Sequence, residues 1–71
     1  MSRRATITEP AWRVSVKRPD GTVLFTGHFH REQLANEYFE AFDVGALGGA
    51  RKTLEERPAG AQRFKVKREV V

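Results

Sequence analysis

The stretch AWRVSVKRPDGTVLFTGHF, residues 11–29, decides the fold. Trp12, Val14 and Val16 alternate with Arg13, Ser15 and Lys17, a period of two that specifies a strand with one face buried. Pro19-Asp20-Gly21 then breaks the pattern. Proline presets φ for the first turn position, aspartate suits the second, and glycine accepts the left-handed conformation that closes the turn. Residues 22–29 beyond it are rich in β-branched and aromatic side chains. Val23, Phe25, Gly27 and Phe29 share one face, and Leu24, Thr26 and His28 the other. The segment is a β-hairpin whose apolar face needs a covering layer.

That layer follows at once. Leu34, Tyr38 and Phe42 recur four residues apart, with Ala35, Phe39 and Ala41 widening the stripe. Glu32, Glu37, Glu40 and Asp43 lie mostly elsewhere, which predicts an amphipathic helix over residues 31–44. Glu32 suits the positive end of the helix, His30 is a poor N-cap, and Gly45 supplies a stop. Gly45-Ala46-Leu47-Gly48-Gly49 reads as a joint. Ala50 and Leu54, together with Leu47, then mark a short second helix that ends before Pro58, although Glu55 and Glu56 late in it oppose the helix dipole. Residues 63–71 alternate again, with Phe64, Val66 and Val70 on one face and Arg63, Lys65, Lys67 and Glu69 on the other. The expected order is β-β-α-α-β. It makes a two-layer α+β domain, an antiparallel hairpin plus a C-terminal strand packed on one main helix and one short helix. Residues 1–10, MSRRATITEP, read as a flexible basic arm, and residues 11–71 as a single domain.

Composition narrows the function classes. The chain has 71 residues, of which 39% are hydrophobic and 31% charged, a balance that excludes wholesale disorder. It contains no cysteine, which excludes a disulfide framework, a thiolate metal cluster and a cysteine nucleophile. Apolar runs such as Val23-Leu24-Phe25 stop at three residues, far short of a membrane-spanning helix. No apolar stretch follows Arg3-Arg4, so the pair does not read as a secretion signal, and the expected compartment is the cytoplasm.

The net charge of +4 is unevenly placed. The segments before the turn and after residue 62 are strongly basic, and residues 31–43 are acidic. Were the first and last strands neighbours, Arg13, Lys17, Arg63, Lys65 and Lys67 would form a basic plate on the open side of the sheet. Such a plate would suit an acidic protein surface or phosphates, with Arg3, Arg4, His28 and Tyr38 as further contacts. The alternative is that these cations are solvated strand positions that guard sheet edges. The aromatic residues fall on the buried parity, which disfavours base stacking on the sheet.

Catalytic chemistry finds little support. His28 and His30 form an H-x-H pair to which Glu32 could add an oxygen, but a closed metal site needs further ligands, and no other His and no Cys exists. One of these histidines beside Lys or Glu would suit ribonuclease-like acid–base work on a basic surface, yet no nucleophile–base–orienter set is legible. Gly45-x-x-Gly48-Gly49 before a helix invites a phosphate-loop reading. It lacks the Gly-Lys-Ser/Thr ending and follows a helix where a P-loop follows a strand. No enzyme, metal or cofactor is expected.

Phe29-x-x-Glu32-Gln33-Leu34, the pair Tyr38-Phe39 and Gly45-Ala46-Leu47-Gly48 at the start of a second short helix resemble the helical half of small phage-encoded type I-F anti-CRISPR proteins. The similarity covers residues 22–56 and includes a one-residue shift near the glycine joint. It implies an antiparallel sheet on two helices, and a non-enzymatic inhibitor that docks on a type I CRISPR surveillance complex and blocks target DNA. This chain ends in a strand where that family ends in a helix, so no contact residue of the family is carried over. The expected function is a small accessory protein of a phage or mobile element that inhibits by protein–protein docking. The alternative is a small basic nucleic-acid-binding protein that contacts phosphates with the sheet face and the arm.

Overall fold

Four strands and one helix follow from these residues. The computed structural model describes residues 9–71; residues 1–8, with Arg3, Arg4 and most of the expected arm, lie outside the described residues. β1 (Ala11–Lys17) and β2 (Val23–Phe29) form the expected hairpin, α1 (Glu32–Ala41) follows, and β3 (Arg51–Arg57) and β4 (Lys65–Val70) complete an antiparallel sheet of order β2-β1-β3-β4. The turn is built as its residue types require. Gly21 sits at φ +93°, its N–H donates to the Arg18 carbonyl at 2.9 Å, and the Asp20 carboxylate accepts from the Thr22 N–H at 2.9 Å.

Trp12, Val14 and Val16 face the helix and are buried, paired with Phe29, Gly27 and Phe25 on one side and with Glu56, Leu54 and Lys52 on the other. Ala35 and Phe39 of α1 close this layer, both fully buried. At Gly27 an added Cβ would lie 2.8 Å from the Phe25 ring and 3.0 Å from the Phe29 ring, so the missing side chain lets both rings fold inward. Those rings meet Tyr38 and Phe42, with Phe29–Tyr38 centroids 4.8 Å apart and Phe25–Phe42 4.9 Å.

The expected second helix is a strand. Residues 51–57 form β3 beside β1, and Ala50 and Leu54, which looked like a helical i, i+4 pair, belong to a period-two face that also contains Lys52. Lys52 is only 7% exposed, and its charged position in the core hid the alternation. Its Nζ donates to the carbonyl oxygens of Phe39 at 2.7 Å and Phe42 at 2.9 Å and lies 4.6 Å from the Phe39 ring centroid. A cation thus occupies the negative end of α1 and satisfies two carbonyls there.

The main helix is also shorter than residues 31–44. It ends at Ala41, Phe42 is extended, and Asp43 accepts from the N–H groups of Gly45 at 3.1 Å and Ala46 at 3.3 Å to start a separate turn. Gly48 and Gly49 at φ +75° and +78° lead that turn into β3. The glycine segment therefore opens a strand, which removes the helix N-terminus that a phosphate-loop reading requires. As expected, no side chain caps the N-terminus of α1.

Candidate functional site

One face of the sheet is covered by α1, and the other carries no helix among the described residues. Strand parity and the register place Arg13, Ser15 and Lys17 of β1, Thr26 and His28 of β2, and Arg51, Thr53, Glu55 and Arg57 of β3 on this open side. The irregularity between Val16 and Lys17 pairs Val23 with Lys17, which moves Val23 away from its expected place beside Phe25 and onto the open face. A shallow groove of about 500 Å³ runs there, lined by Arg13, Lys17, Thr26, Arg51, Val66 and Glu69 among others.

The expected plate of Arg13, Lys17, Arg63, Lys65 and Lys67 is not assembled. β4 pairs with β3 and not with either hairpin strand, which separates its cations from β1. A second irregularity then reorders β4 itself: Leu54 pairs with Arg68 and Glu55 with Val66, leaving Lys67 as an extra residue. Lys65, paired with Glu56, belongs to the helix side, and so do Lys67 and Arg68. Lys67 Nζ lies 2.9 Å from Glu32 and 3.5 Å from Glu56, and Arg68 reaches Glu40 at 2.6 Å and stacks 4.6 Å from the Phe39 centroid. Arg63 is exposed in the bend before β4. These carboxylates hold Lys67 above its usual 10.5, chiefly through the Glu32 hydrogen bond, and Arg68 holds Glu40 below its usual 4.5.

The same shift overturns the expected apolar face of the last strand. Phe64 and Val66 lie on the open side, and Val70 alone, paired with Lys52, faces the helix layer. Phe64 is half-buried beneath two guanidinium groups, Arg13 at 4.3 Å and Arg57 at 5.9 Å from the ring centroid, with the His28 ring edge-on at 6.2 Å. Ala11, the cross-strand partner of Arg57, is 7% exposed. An aromatic residue on the open face was not expected, since β4 reads as unbroken alternation until the bulge is known.

What remains on the open side is a mosaic. Arg13 donates to Glu55 at 2.6 Å, a bond that holds the guanidinium above its ordinary pKa, and Arg51 lies 3.7 Å from Glu69. Lys17 projects into solvent at the groove's end, and the hydroxyls of Ser15, Thr26 and Thr53 lie beside the exposed Val23 and Val66. Four cations thus face two carboxylates, a mild positive excess. His28 is exposed on β2 and His30 follows the strand; among the described residues no group of three or more His, Cys, Asp or Glu converges on a possible metal position. Tyr38, named as a further contact, is 43% exposed on the helix layer and not on the open side, and the adjacent Phe39 is fully buried.

No helix among the described residues is long and apolar enough to cross a membrane. Compared with family models, with curated proteins and with solved structures, the chain matches none.

Proposed function

We propose that this chain is a non-enzymatic binding module that docks a protein through the open face of its sheet. The observation that carries the reading is the composition of that face: paired charges, hydroxyls and two exposed valines around one solvated lysine. Mixed polar and apolar patches of this kind recur in protein–protein contacts, whereas phosphate-tracking surfaces carry a large unpaired positive charge. The finer form of the proposal is inhibition by docking on a type I CRISPR surveillance complex. It draws on the resemblance over residues 22–56, of which the Glu32-Gln33-Leu34 and Tyr38-Phe39 motifs lie on α1, whereas Gly45-Ala46-Leu47-Gly48 leads into β3 where the resemblance implies a second helix.

The test is a pull-down of a purified type I-F surveillance complex with the full chain and with a Lys17→Glu/Arg51→Glu variant. Both substituted residues are solvent-facing, so the thermal midpoint should move little. Capture by the parent chain and loss of at least about tenfold in affinity on charge reversal would support the reading; absence of capture sinks the CRISPR form of it. The positive excess on the open face favours a second reading, a nucleic-acid surface that contacts phosphates. Anisotropy of labelled single-stranded DNA and RNA at two salt concentrations separates the two. Binding that weakens about tenfold or more with salt would replace protein docking with phosphate contact.

A further inference from the structure

The two edges of the sheet are built differently. Both edge strands carry one extra residue, Leu24 in β2 and Lys67 in β4, but β4 also carries Lys65, Lys67, Arg68 and Glu69, charges that oppose the addition of another strand. β2, with the sequence VLFTGHF, has no Lys, Arg, Asp, Glu or Pro, and its outer edge pairs with nothing among the described residues. Above it, Tyr38 packs on Phe29, and Leu34 lies one turn earlier on the same stripe. Leu34 is 40% exposed and Tyr38 43%, the two most exposed large apolar side chains of α1. An uncharged strand edge and an uncovered apolar stripe therefore run together along one side of the molecule.

We infer that this side is a homodimer interface in which β2 of one copy pairs antiparallel with β2 of a second. An open edge is complemented by an extended backbone, and β2 is itself the exposed unguarded strand. Self-pairing is electrostatically less opposed here than elsewhere: β2 itself contributes no formal charge to the seam, in a chain whose net charge of +4 otherwise repels its copy. The charges on β4 oppose head-to-tail addition of β2 onto β4, which would grow a filament, so pairing closes as a two-fold dimer. Overlap centred on Thr26 puts Thr26 opposite Thr26 and each Phe25 opposite a Gly27, and brings the Leu34/Tyr38 stripes together over the seam.

The dimer has a geometric consequence. One four-stranded open face measures about 19 Å by 24 Å, on the order of 450 Å². Joining two β2 edges makes one eight-stranded surface of about 900 Å², comparable with one side of a standard protein interface.

Light scattering and sedimentation of the full chain, from about 10 µM to about 1 mM, test the inference first. The expected result is a mass rising toward twice 8.1 kDa; a monomer throughout, or species that keep growing, overturns it. The chain has no cysteine, so a single Thr26→Cys substitution reports the register. Residues directly opposite in an antiparallel pair lie about 4.5–5.5 Å apart at Cα, within disulfide reach. Oxidation should convert the Thr26→Cys variant to covalent dimer at least about tenfold faster than Thr53→Cys on the central strand β3, a diffusional control. Equal rates, or no cross-link at either position, overturn the inference. A Thr26→Lys variant should be monomeric with unchanged far-ultraviolet circular dichroism, and persistence of its dimer would place the interface elsewhere. Failure of dimerisation leaves the pull-down above intact as a separate test of the docking face.

Discussion

Lys52 joins the two layers through its ammonium group. Its stem lies in the core between sheet and helix, and its Nζ satisfies the carbonyls of Phe39 and Phe42. Methionine at this position would preserve most of the packing and remove the donor, leaving two carbonyls at a helix end without their partner. Lys52→Met should therefore cost about 1–3 kcal/mol, the desolvation penalty of an unmade buried bond. At about 4–8 °C per kcal/mol for a domain this small, the thermal midpoint should fall by roughly 5–20 °C. A midpoint within a degree or two of the parent, followed by circular dichroism, would show that the ammonium contributes nothing net. The same residue explains why β3 was illegible. Binary patterning assigns a lysine to the surface, so an inward-facing one breaks the period-two signal. Ala50 and Leu54 are then left as a pair four apart that imitates a helix. Only the position of a helix end in space could have revealed that an interior cation was wanted.

At the scale of elements, α1 is clamped to β4 by carboxylate–cation pairs, Glu32 with Lys67 and Glu40 with Arg68, and Glu56 of β3 also lies beside Lys67. Glu40 is held below its usual 4.5, first by the Arg68 hydrogen bond, and Asp20 below 3.8 by the Thr22 N–H. The unfolded chain therefore binds more protons than the folded one in the acid range. The stability from these groups is complete above their unfolded values and is lost as pH falls through the lowered folded values. Lys67 is raised above 10.5, so its contribution is complete below that value and is lost as pH rises through the folded one. The thermal midpoint should be flat between about pH 5 and about pH 10 and decline on either side, and Glu40→Gln should reduce the acid decline. A midpoint that stays level down to pH 2, or a Glu40→Gln profile identical to the parent, would contradict this account. The hairpin was legible because turn chemistry and alternation agree over residues 11–29, apart from Val23, which the irregularity beside Lys17 moves to the other face. The clamp was not, because a bulge leaves no local mark: Lys65, Lys67 and Arg63 alternate as if on one open face, and the register that reassigns them is set by pairing with β3.

At the scale of the whole molecule, the core is a single layer. Among the described residues the buried apolar side chains are Ala11, Trp12, Val14, Val16, Ala35, Phe39, Ala50 and Leu54, three of them alanine. A chain of 71 residues has a net stability on the order of 4–10 kcal/mol, and one this sparsely filled belongs at the lower end. Leu54 is 1% exposed, on β3 opposite Val14, in the cluster with Phe39. Truncating it leaves a cavity where strands and helix meet, at a cost of about 2–5 kcal/mol. That cost is comparable with the whole stability, and no second core exists among the described residues to hold part of the fold. Leu54→Ala should therefore populate the unfolded state at 25 °C in a cooperative transition, seen as a shift of the urea midpoint toward zero with little change in slope. Val66→Ala on the open face, where the side chain is 59% exposed, should change the midpoint by less than about 0.5 kcal/mol equivalent. If Leu54→Ala were as mild as Val66→Ala, the layer between sheet and helix would not be what holds this molecule together. Because dimerisation through β2 would stabilise only the folded form, raising the protein concentration should recover part of the Leu54→Ala loss. The open face would then be presented by a pair of molecules, each with a core too thin to tolerate a cavity.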